Sequence, residues 1–420
     1  ARSAAMDVDA LAATRPIEYP VVTPADAESM FDLLTYEKGA AVVRMLEQFL
    51  GEDVFRDGVR RYLATHLYQN TDNGDLWAAL GEASGQPVGD LMDGWIFQGG
   101  HPVVEAVVAI DGSTCTLSQR PFQYLLPEQK PVQKQTSPTW QIPIRLRTSG
   151  GEQRTLLGAE PSEVTLDGLL LTLNAGATGF HRSMGPTGVD PSALTAIERA
   201  AAVDDCWAAT LADLNHPAGF LDLAASVTGR PGGEVDLAVW QAVLRGIGTI
   251  DLVAPEQHAR WADKARDLLA GIVEHLGWTP QTDDDDRTRQ LRGSVLAAAG
   301  TLADDSVVLA EARRRWADPT IESDPAVAAA VVSIVASHGD AAVRFECRHQ
   351  AENATTAQNE QRHLRALALF PASTEVELLL EEVHGGMIRT QDAPFLLRSA
   401  LHHPTERAAV WWSITDRWAD

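Results

Sequence analysis

The first hundred residues place apolar side chains at helical spacing. One stripe recurs at i, i+3, i+4 and i+7, as on a single helix face, and consists of Val88, Leu91, Met92 and Trp95. A second stripe follows the same period and consists of Phe55, Val59, Tyr62, Leu63 and His66. Between the stripes, Gly85 ends one helix and Pro87 begins the next. The pattern predicts a compact helical block over residues 1–100.

After Gly99-Gly100 the period of the apolar positions changes to two. Alternating apolar residues form two clear runs, Ile142, Ile144 and Leu146, and then Leu169, Leu171 and Leu173. Gly-containing turn signals separate these runs from their neighbours, which is typical of sheet-on-sheet packing. The pattern predicts a small antiparallel β-sandwich over residues 101–183.

From residue 192 to residue 420 the helical period returns. Ala-rich apolar helices alternate with short breaks, several of which contain proline. Successive helices of this kind are typical of stacked antiparallel pairs, as in a HEAT-like α-helical superhelix. The predicted fold is therefore mainly α with a β-sandwich insert, in three domains: 1–100, 101–183 and 192–420.

The charge of the chain excludes some classes of partner. Its 420 residues include 34 Lys and Arg against 58 Asp and Glu, a formal net charge of −24. Such a surface repels phosphate backbones and anionic lipid, so we expect neither nucleic-acid nor membrane-surface binding. No apolar run reaches the roughly 20 residues of a membrane span. Cys115, Cys206 and Cys347 form no CxxC pair, which favours reduced thiols in a cytoplasmic protein.

Three short motifs stand in order within the first block. They are Thr14-Arg15-Pro16-Ile17, then Phe31-Asp32 with Tyr36-x-Lys38-Gly39, then Trp95-x-x-Gln98-x-Gly100-His101-Pro102. Together they resemble the part of the M1 (gluzincin) zinc aminopeptidases, aminopeptidase N-like, that follows the zinc ligands. Residues 174–182 resemble the closing strand of the family's sandwich. Residues 388–392 resemble a segment of its helical cap, whose style looks like the actinobacterial branch.

The resemblance implies a fold and a chemistry. Residues 1–100 would be the helical remnant of the thermolysin-like peptidase domain, and the C-terminal helices would be an ERAP-like C-terminal domain that caps a chamber for peptide substrates. In such enzymes zinc activates a water molecule and a Glu acts as general base. By its place in the motif, Tyr36 would donate a hydrogen bond to the oxyanion of the tetrahedral intermediate. The alternative is that Tyr36 only packs at the start of a helix.

Arg389 is a second candidate site residue. In the family, basic residues of the cap can meet the carboxylate end of the peptide, and an Arg supplies a two-pronged donor for that task. The alternative is that Arg389 pairs with Asp392 or another acidic neighbour.

The expected zinc motif is missing from the sequence. Two histidines at i and i+4 with a Glu between them would be needed, and no two of the 12 histidines have that spacing. The Gly-x-Met-x-Asn substrate-anchoring loop is absent as well. Adjacent His402 and His403 would point to different helix faces, and the acidic run 283–286 is better explained by the dipole of the following helix. We therefore expect no metal bound by this chain, and zinc only in the complete enzyme.

Two functional hypotheses follow. In the first, the chain is the C-terminal portion of a zinc-dependent aminopeptidase; it is inactive alone and needs a missing N-terminal half, so apolar surface between Met30 and Trp95 should be exposed. In the second, the chain is a non-catalytic relic that binds peptides or proteins with its helical solenoid. Coding sequence for HExxH immediately upstream would favour the first hypothesis.

Overall fold

The computed structural model describes residues 2–124, 138–318, 320–321 and 324–417. The chain divides into two compact units, Ala1–Val227 and Thr228–Asp420. The first unit combines helices with two small sheets, and the described part of the second unit is helical.

A helical block opens the first unit. Its helices are α1 (Arg2–Asp9), α2 (Pro24–Ser29), α3 (Gly39–Leu50), α4 (Glu52–Thr65), α5 (Asn73–Ser84) and α6 (Val88–Ile96). A π-helical turn, Leu34–Lys38, runs directly into α3. The predicted apolar stripe of α6 is confirmed, because Val88, Leu91, Met92 and Trp95 are all buried.

Local side chains fix the ends of these helices. Thr23 at α2 and Asp72 at α5 each form a capping box with the third residue of the helix. Helix α5 ends at Gly85, whose φ of 68° lies in the left-handed region that glycine adopts without strain. Gly58 allows α4 to approach α5 closely, since an added Cβ there would lie 2.6 Å from Leu80 Cδ2.

The sandwich follows the helical block. Its strands are β1 (Pro102–Val108), β2 (Thr114–Pro121), β3 (Ile142–Thr148), β4 (Glu152–Leu157), β5 (Ser162–Thr165), β6 (Leu170–Thr172) and β7 (Arg182–Met184). One sheet has the order β5-β2-β1-β7 and the other the order β4-β3-β6. The alternation predicted for β3 is confirmed, because Ile142, Ile144 and Leu146 are buried.

Two details of the sandwich differ from the prediction. First, β7 pairs with β1 in parallel, although the other pairs of these strands are antiparallel, as predicted for the sandwich. Second, residues 174–182 are not a strand along their length, since β7 begins only at Arg182 and Ala175–Ala177 form a 3-10 turn. Gly176 in that turn has a φ of 66°, which an extended strand does not accommodate.

The helical block and the sandwich bury one common core. The ring centre of Trp95 in α6 lies 6.1 Å from the ring centre of Trp140 and 6.3 Å from that of Phe180. The indole N–H of Trp95 donates to the carbonyl of Gln141 at 3.0 Å. Because both regions contribute to the same apolar cluster, each covers surface that the other would leave exposed.

Two further helices, α7 (Ala196–Leu211) and α8 (Pro217–Thr228), follow the sandwich. A buried arginine connects α7 to earlier elements. Arg182 in β7 donates to Asp204 at 2.6 Å and to Asp205 at 3.2 Å, both in α7, and to Asp7 of α1 at 3.1 Å. A buried charge with several carboxylate partners fixes the relative positions of the elements that supply them.

The described part of the second unit consists of helices. They are α9 (Leu237–Val253), α10 (His258–Leu276), α11 (Asp286–Thr301), α12 (Ser306–Ala317), α13 (Pro325–Ser337), α14 (Ala341–Glu352), α15 (Ala357–Ala366), α16 (Ser373–His384), α17 (Ala393–Ala400) and α18 (Arg407–Asp416). Aspartate side chains accept backbone N–H groups at the starts of many of these helices, namely at Asp236, Asp285, Asp305, Asp324 and Asp340.

Small residues bring neighbouring helices of this unit together. At Gly293 of α11 an added Cβ would lie 2.7 Å from the carbonyl oxygen of Ala326 in α13. At Gly300 it would lie 2.6 Å from Ile334 Cγ1, also in α13. The prediction of a mainly α fold with a sandwich insert and a C-terminal helical domain is confirmed. The three domain boundaries stay a prediction.

Among the described residues, no single helix combines the length and the apolar character of a membrane span. Two bent helix pairs, Leu237–Val253 with Pro255–Leu276 and Asp286–Thr301 with Ser306–Ala317, reach that length and composition only when joined.

Candidate functional site

Tyr36 lies in the middle of the π-helical turn Leu34–Lys38. Asp32 begins the turn, because its Oδ1 accepts the backbone N–H groups of Leu34 and Thr35, both at 2.9 Å. The carbonyl of Asp32 accepts the N–H of Tyr36 at 3.1 Å. π-Helical turns are rare and frequently occur at functional sites. The Phe-Asp and Tyr-x-Lys-Gly motifs are thus one continuous structure around Tyr36.

Arg15 attaches the Thr-Arg-Pro-Ile motif to the same turn. Its Nη2 lies 2.8 Å from Asp32 Oδ1 and donates to Thr35 Oγ1 at 3.1 Å. Its Nη1 donates to the carbonyl of Pro16 at 2.7 Å. The guanidinium lies 4.8 Å from the centre of the Tyr19 ring, within cation–π range. One side chain therefore joins two of the three motifs.

Lys38 fixes the other end of the turn from inside the protein. Its side chain is fully buried, and its Nζ lies 3.0 Å from Asp9 Oδ2. The ammonium also donates to the carbonyls of Gly100 at 3.0 Å and Gln98 at 3.3 Å. Burial lowers the pKa of Lys38, and the charge of Asp9 opposes that change. The third motif therefore meets the Tyr36 turn through Lys38.

Asp9, at the end of α1, organises the buried cluster. Its Oδ1 accepts the Thr14 hydroxyl at 2.6 Å and the N–H of Gly100 at 2.9 Å. Its Oδ2 faces Lys38 and lies 3.5 Å from Nδ1 of His101. Burial raises the pKa of Asp9, but His101 and the Lys38 ammonium outweigh burial and lower it to about 2. Burial also lowers the pKa of His101 to about 4, so this ring is neutral at pH 7.

The side chain of Tyr36, in contrast, is open to solvent. It is 58% exposed, and its ring centre lies 6.2 Å from that of Phe31, which is 74% exposed. Across the residues that the structure describes, the Tyr36 hydroxyl has no hydrogen-bond partner. Leu33 is also exposed, and so is Phe97, just after the end of α6. The phenol is available to a group outside the described chain.

A cleft of about 850 Å³ adjoins the turn. Thr35, the neighbour of Tyr36 in sequence, lines it together with Met30, Phe97 and residues 16–21. Most of these side chains are apolar, and Glu18 supplies a carboxylate. The exposed phenol and the cleft thus belong to the same part of the first unit.

Arg389 lies in the second unit, just before α17. Its Nη2 lies 2.8 Å from Glu360 Oε1, and its Nε donates to Asp392 Oδ2 at 2.7 Å. Asp392 and Glu360 raise its pKa. The pairing with Asp392 that the sequence suggested is therefore present, and about half of the side chain remains exposed. Contact with a substrate stays a prediction.

Other residues considered as metal ligands have structural partners. His403 is buried, with its Nε2 3.2 Å from the carbonyl oxygen of Phe370. In the acidic run, Asp285 caps α11 by accepting the N–H of Thr288 at 2.7 Å. Within the described ranges, no group of three or more His, Cys, Asp or Glu side chains is arranged to hold a metal ion.

Two known families match the chain. Residues 173–420, more than half of its length, match the ERAP1-like C-terminal domain. Residues 1–95, which include the Tyr36 turn, match the Peptidase family M1 domain. The chain belongs to the M1 aminopeptidase family. It corresponds to the C-terminal part of the family's members, as its three motifs predicted. Its assignment to an actinobacterial branch stays a prediction.

Individual M1 relatives match along almost the whole chain. Aminopeptidase M1-A of Oryza sativa subsp. japonica is 28% identical over 438 residues, which cover 98% of this chain and 48% of that protein. Tricorn protease-interacting factor F2 of Thermoplasma volcanium is 27% identical over 425 residues, which cover 98% of this chain and 50% of that protein. The chain spans about half the length of these curated relatives.

The sequence did not indicate that Asp9 and Lys38 form the buried ion pair beside the Tyr36 turn. In the sequence, Lys38 is only one residue of the Tyr-x-Lys-Gly motif. A signal for Asp9 is present, because it follows Ala5 and Met6 at i+4 and i+3, on the apolar face of α1. A carboxylate on a buried helix face needs a charged or hydrogen-bonding partner. Nothing in the sequence identified that partner as Lys38.

Proposed function

We propose that this chain is the C-terminal part of a zinc-dependent aminopeptidase that removes N-terminal residues from peptides. In this proposal, the Tyr36 hydroxyl donates a hydrogen bond to the oxyanion of the tetrahedral intermediate. The observation that carries the proposal is the exposed phenol of Tyr36, which has no partner among the described residues and stands on a turn held at both ends by motif residues. Membership of the M1 family supports the reaction class.

A tyrosine suits this task for a physical reason. A neutral phenol donates a hydrogen bond to developing negative charge and needs no change of its own charge. Its effect is largest where the donor is already oriented, since no reorganisation is then needed during the reaction. Removal of one such donor costs about 2.7–4 kcal/mol of transition-state stabilisation, or about 10²–10³ in kcat.

The zinc ion and the general base would come from another polypeptide segment, because this chain has no HExxH motif. We propose that this zinc-bearing half contacts the exposed apolar segment around Phe31, Leu33 and Tyr36. Apolar patches rimmed by polar residues commonly mark such contacts. The chain alone is then inactive, and the peptide meets a composite site.

Reconstitution tests the proposal. The chain is mixed or coexpressed with a zinc-bearing half of an M1 aminopeptidase, and hydrolysis of an aminoacyl-4-nitroanilide is followed. We expect no hydrolysis by the chain with zinc alone, and zinc-dependent hydrolysis by the assembled pair. Tyr36→Phe should lower kcat of the pair by about 10²–10³, whereas Tyr68→Phe, on a fully exposed side chain, should leave it unchanged.

Two results would count against the proposal. Hydrolysis by the chain with zinc alone would show that a separate zinc-bearing half is unnecessary. An assembled pair whose kcat is insensitive to Tyr36→Phe would remove the assigned role of the phenol. Peptide binding without hydrolysis in every assembly would favour the alternative, a non-catalytic binding protein built on the helical solenoid.

Arg389 has a separate place in the proposal, as a contact for the carboxylate end of the peptide. Its guanidinium already faces Glu360 and Asp392, so a substrate carboxylate would have to share it with them. An exposed guanidinium has five N–H donors and can serve several acceptors at once. The role of Arg389 is therefore in substrate affinity and not in the chemical step.

A further inference from the structure

We propose that Asp9 and Lys38 are positioning residues for Tyr36: their buried ion pair fixes the π-helical turn and thereby the place of the phenol hydroxyl. The inference rests on the proposed function of Tyr36 and extends it to two residues that do not touch the substrate. It assigns a purpose to a buried charge pair next to an exposed reactive group.

The first step concerns what can orient the phenol. Among the described residues, no group binds the Tyr36 hydroxyl, and more than half of the side chain is exposed. The Phe31 ring, 6.2 Å away, is itself more exposed than Tyr36 and offers little support. The position of the hydroxyl is therefore set mainly by the backbone of the turn.

The second step concerns what holds that backbone. Lys38 stands two residues after Tyr36 and closes the turn. An ammonium has three donors, and three acceptors surround Nζ: Asp9 Oδ2, the Gly100 carbonyl and the Gln98 carbonyl, at 3.0, 3.0 and 3.3 Å. These acceptors come from two segments distant in sequence, so the end of the turn is fixed in more than one direction.

Asp9 is held just as firmly. Besides Lys38, it accepts hydrogen bonds from the Thr14 hydroxyl and from the N–H of Gly100. Thr14 directly precedes Arg15, which binds Asp32 at the start of the same turn. The two ends of the turn are thus linked through Asp9, Thr14 and Arg15, and Tyr36 lies between them.

The third step is energetic. A buried ion pair is a poor source of stability, because desolvation of both charges offsets most of their attraction. Apolar residues of similar volume are often equally or more stabilising, whereas a charge pair accepts fewer geometries. A purpose in orientation explains why an ammonium with three fixed acceptors occupies this position.

The test removes both charges together. In the pair assembled with a zinc-bearing half, Asp9→Asn with Lys38→Met should lower kcat by about 100-fold, the effect of a misplacement of about 1 Å, with KM unchanged. The matched control is Arg147→Met with Glu198→Gln, which removes an ion pair of the same unit that joins β3 to α7. The control should keep the parent kcat.

A double-mutant cycle separates positioning from a general structural effect. If Asp9 and Lys38 act through Tyr36, their replacement should have no further effect on kcat once Tyr36→Phe is present. A full, additive loss in the Tyr36→Phe background would overturn the inference. An unchanged kcat in Tyr36→Phe alone would instead overturn the proposed function, so the two failures are distinguishable.

A spectroscopic measurement on this chain alone needs no activity. With 3-fluorotyrosine at position 36, the parent should give one fluorine resonance, and the double variant a shifted or broadened one. The single variant Asp9→Asn, which keeps an amide oxygen for Gly100 and Thr14, serves if the double variant does not fold. An identical fluorine resonance in the parent and a folded variant would overturn the inference.

Discussion

Arg15 and Asp32 form an ion pair of 2.8 Å that joins two motifs seventeen positions apart in the chain. Asp32 Oδ1 also accepts the N–H groups of Leu34 and Thr35, so one carboxylate oxygen both receives the ion pair and begins the turn of Tyr36. One carboxylate therefore holds the Thr-Arg-Pro-Ile motif against the Phe-Asp motif and also begins the turn that carries Tyr36.

Removal of this carboxylate should destabilise the first unit. We predict that Asp32→Ala lowers the free energy of unfolding by about 1–2 kcal/mol, as for other lost helix caps. Urea unfolding followed by circular dichroism measures the change. Asp57→Ala is the control, because Asp57 pairs only loosely with Arg60 on the exposed face of α4, and its change should stay within about 0.5 kcal/mol. Equal losses in both variants would contradict the role of Asp32.

His101 should make the first unit sensitive to mild acid. Burial lowers its pKa to about 4, whereas an unfolded histidine titrates near 6.5. Between these values the unfolded chain binds a proton that the folded chain does not, so stability falls as the pH falls from about 6.5 to about 4. The full difference between the folded and unfolded pKa of His101 corresponds to about 3 kcal/mol of unfolding free energy.

We therefore predict that His101→Phe reduces the loss of stability between pH 6.5 and pH 4, while burial of His181, which lowers its pKa to about 3, leaves a remaining slope. Phenylalanine suits the site, because the ring of His101 lies 5.4 Å from Phe122 and 5.6 Å from Phe180. Urea unfolding at a series of pH values measures the slope. His275→Phe, on an exposed position of α10, should keep the parent slope, and a parent slope in His101→Phe would refute the prediction.

The approach of α11 to α13 should be sensitive to one methyl group. Gly293→Ala places a Cβ 2.7 Å from the Ala326 carbonyl oxygen, and we predict a loss of about 1–3 kcal/mol through overpacking. Gly271→Ala in α10 meets no atom within 4 Å and should stabilise the protein by about 0.5–1 kcal/mol. Thermal unfolding distinguishes the two. Similar changes of melting temperature in both variants would contradict the close packing of α11 against α13.

Arg389→Gln should affect peptides and chromogenic amides differently. If the guanidinium binds the carboxylate end of a peptide, its loss removes a charged hydrogen bond of about 1.5–3 kcal/mol, so KM for peptides should rise at least about tenfold. KM for aminoacyl-4-nitroanilides, which lack that carboxylate, should not change. Steady-state kinetics of the assembled pair measures both, with Arg314→Gln as an exposed control. Equal effects on both substrates would contradict the assignment.

The sequence predicted elements well where one face is strictly buried. In β3, Ile142, Ile144 and Leu146 alternate as expected, and all three are buried. The same reasoning was only partly right for the run Leu169, Leu171 and Leu173, because Leu173 is buried but Leu169, just before β6, is 67% exposed. The pairing of β3 with β6 has an irregularity between Arg147 and Thr148, and a one-residue shift exchanges the two faces of a strand.

The candidate site was only partly accessible from the sequence. The motif spacing indicated Tyr36, but the π-helical conformation of its turn depends on Asp32 and Lys38, whose partners are distant in the chain. Leu63 shows another limit of sequence-based prediction. Its helical spacing places it on the apolar stripe of α4, but its side chain is exposed. Helical spacing locates a face, but the neighbouring elements determine how much of that face is covered.

The common core around Trp95, Trp140 and Phe180 has a practical consequence for dissecting the protein. Gly99 and Gly100 mark a change of secondary structure, yet apolar packing continues across them. A protease cut or an expression boundary at these glycines would leave two aggregation-prone fragments, each with exposed apolar surface, in place of two stable domains. The helical block and the sandwich must therefore be expressed and purified together as one folding unit.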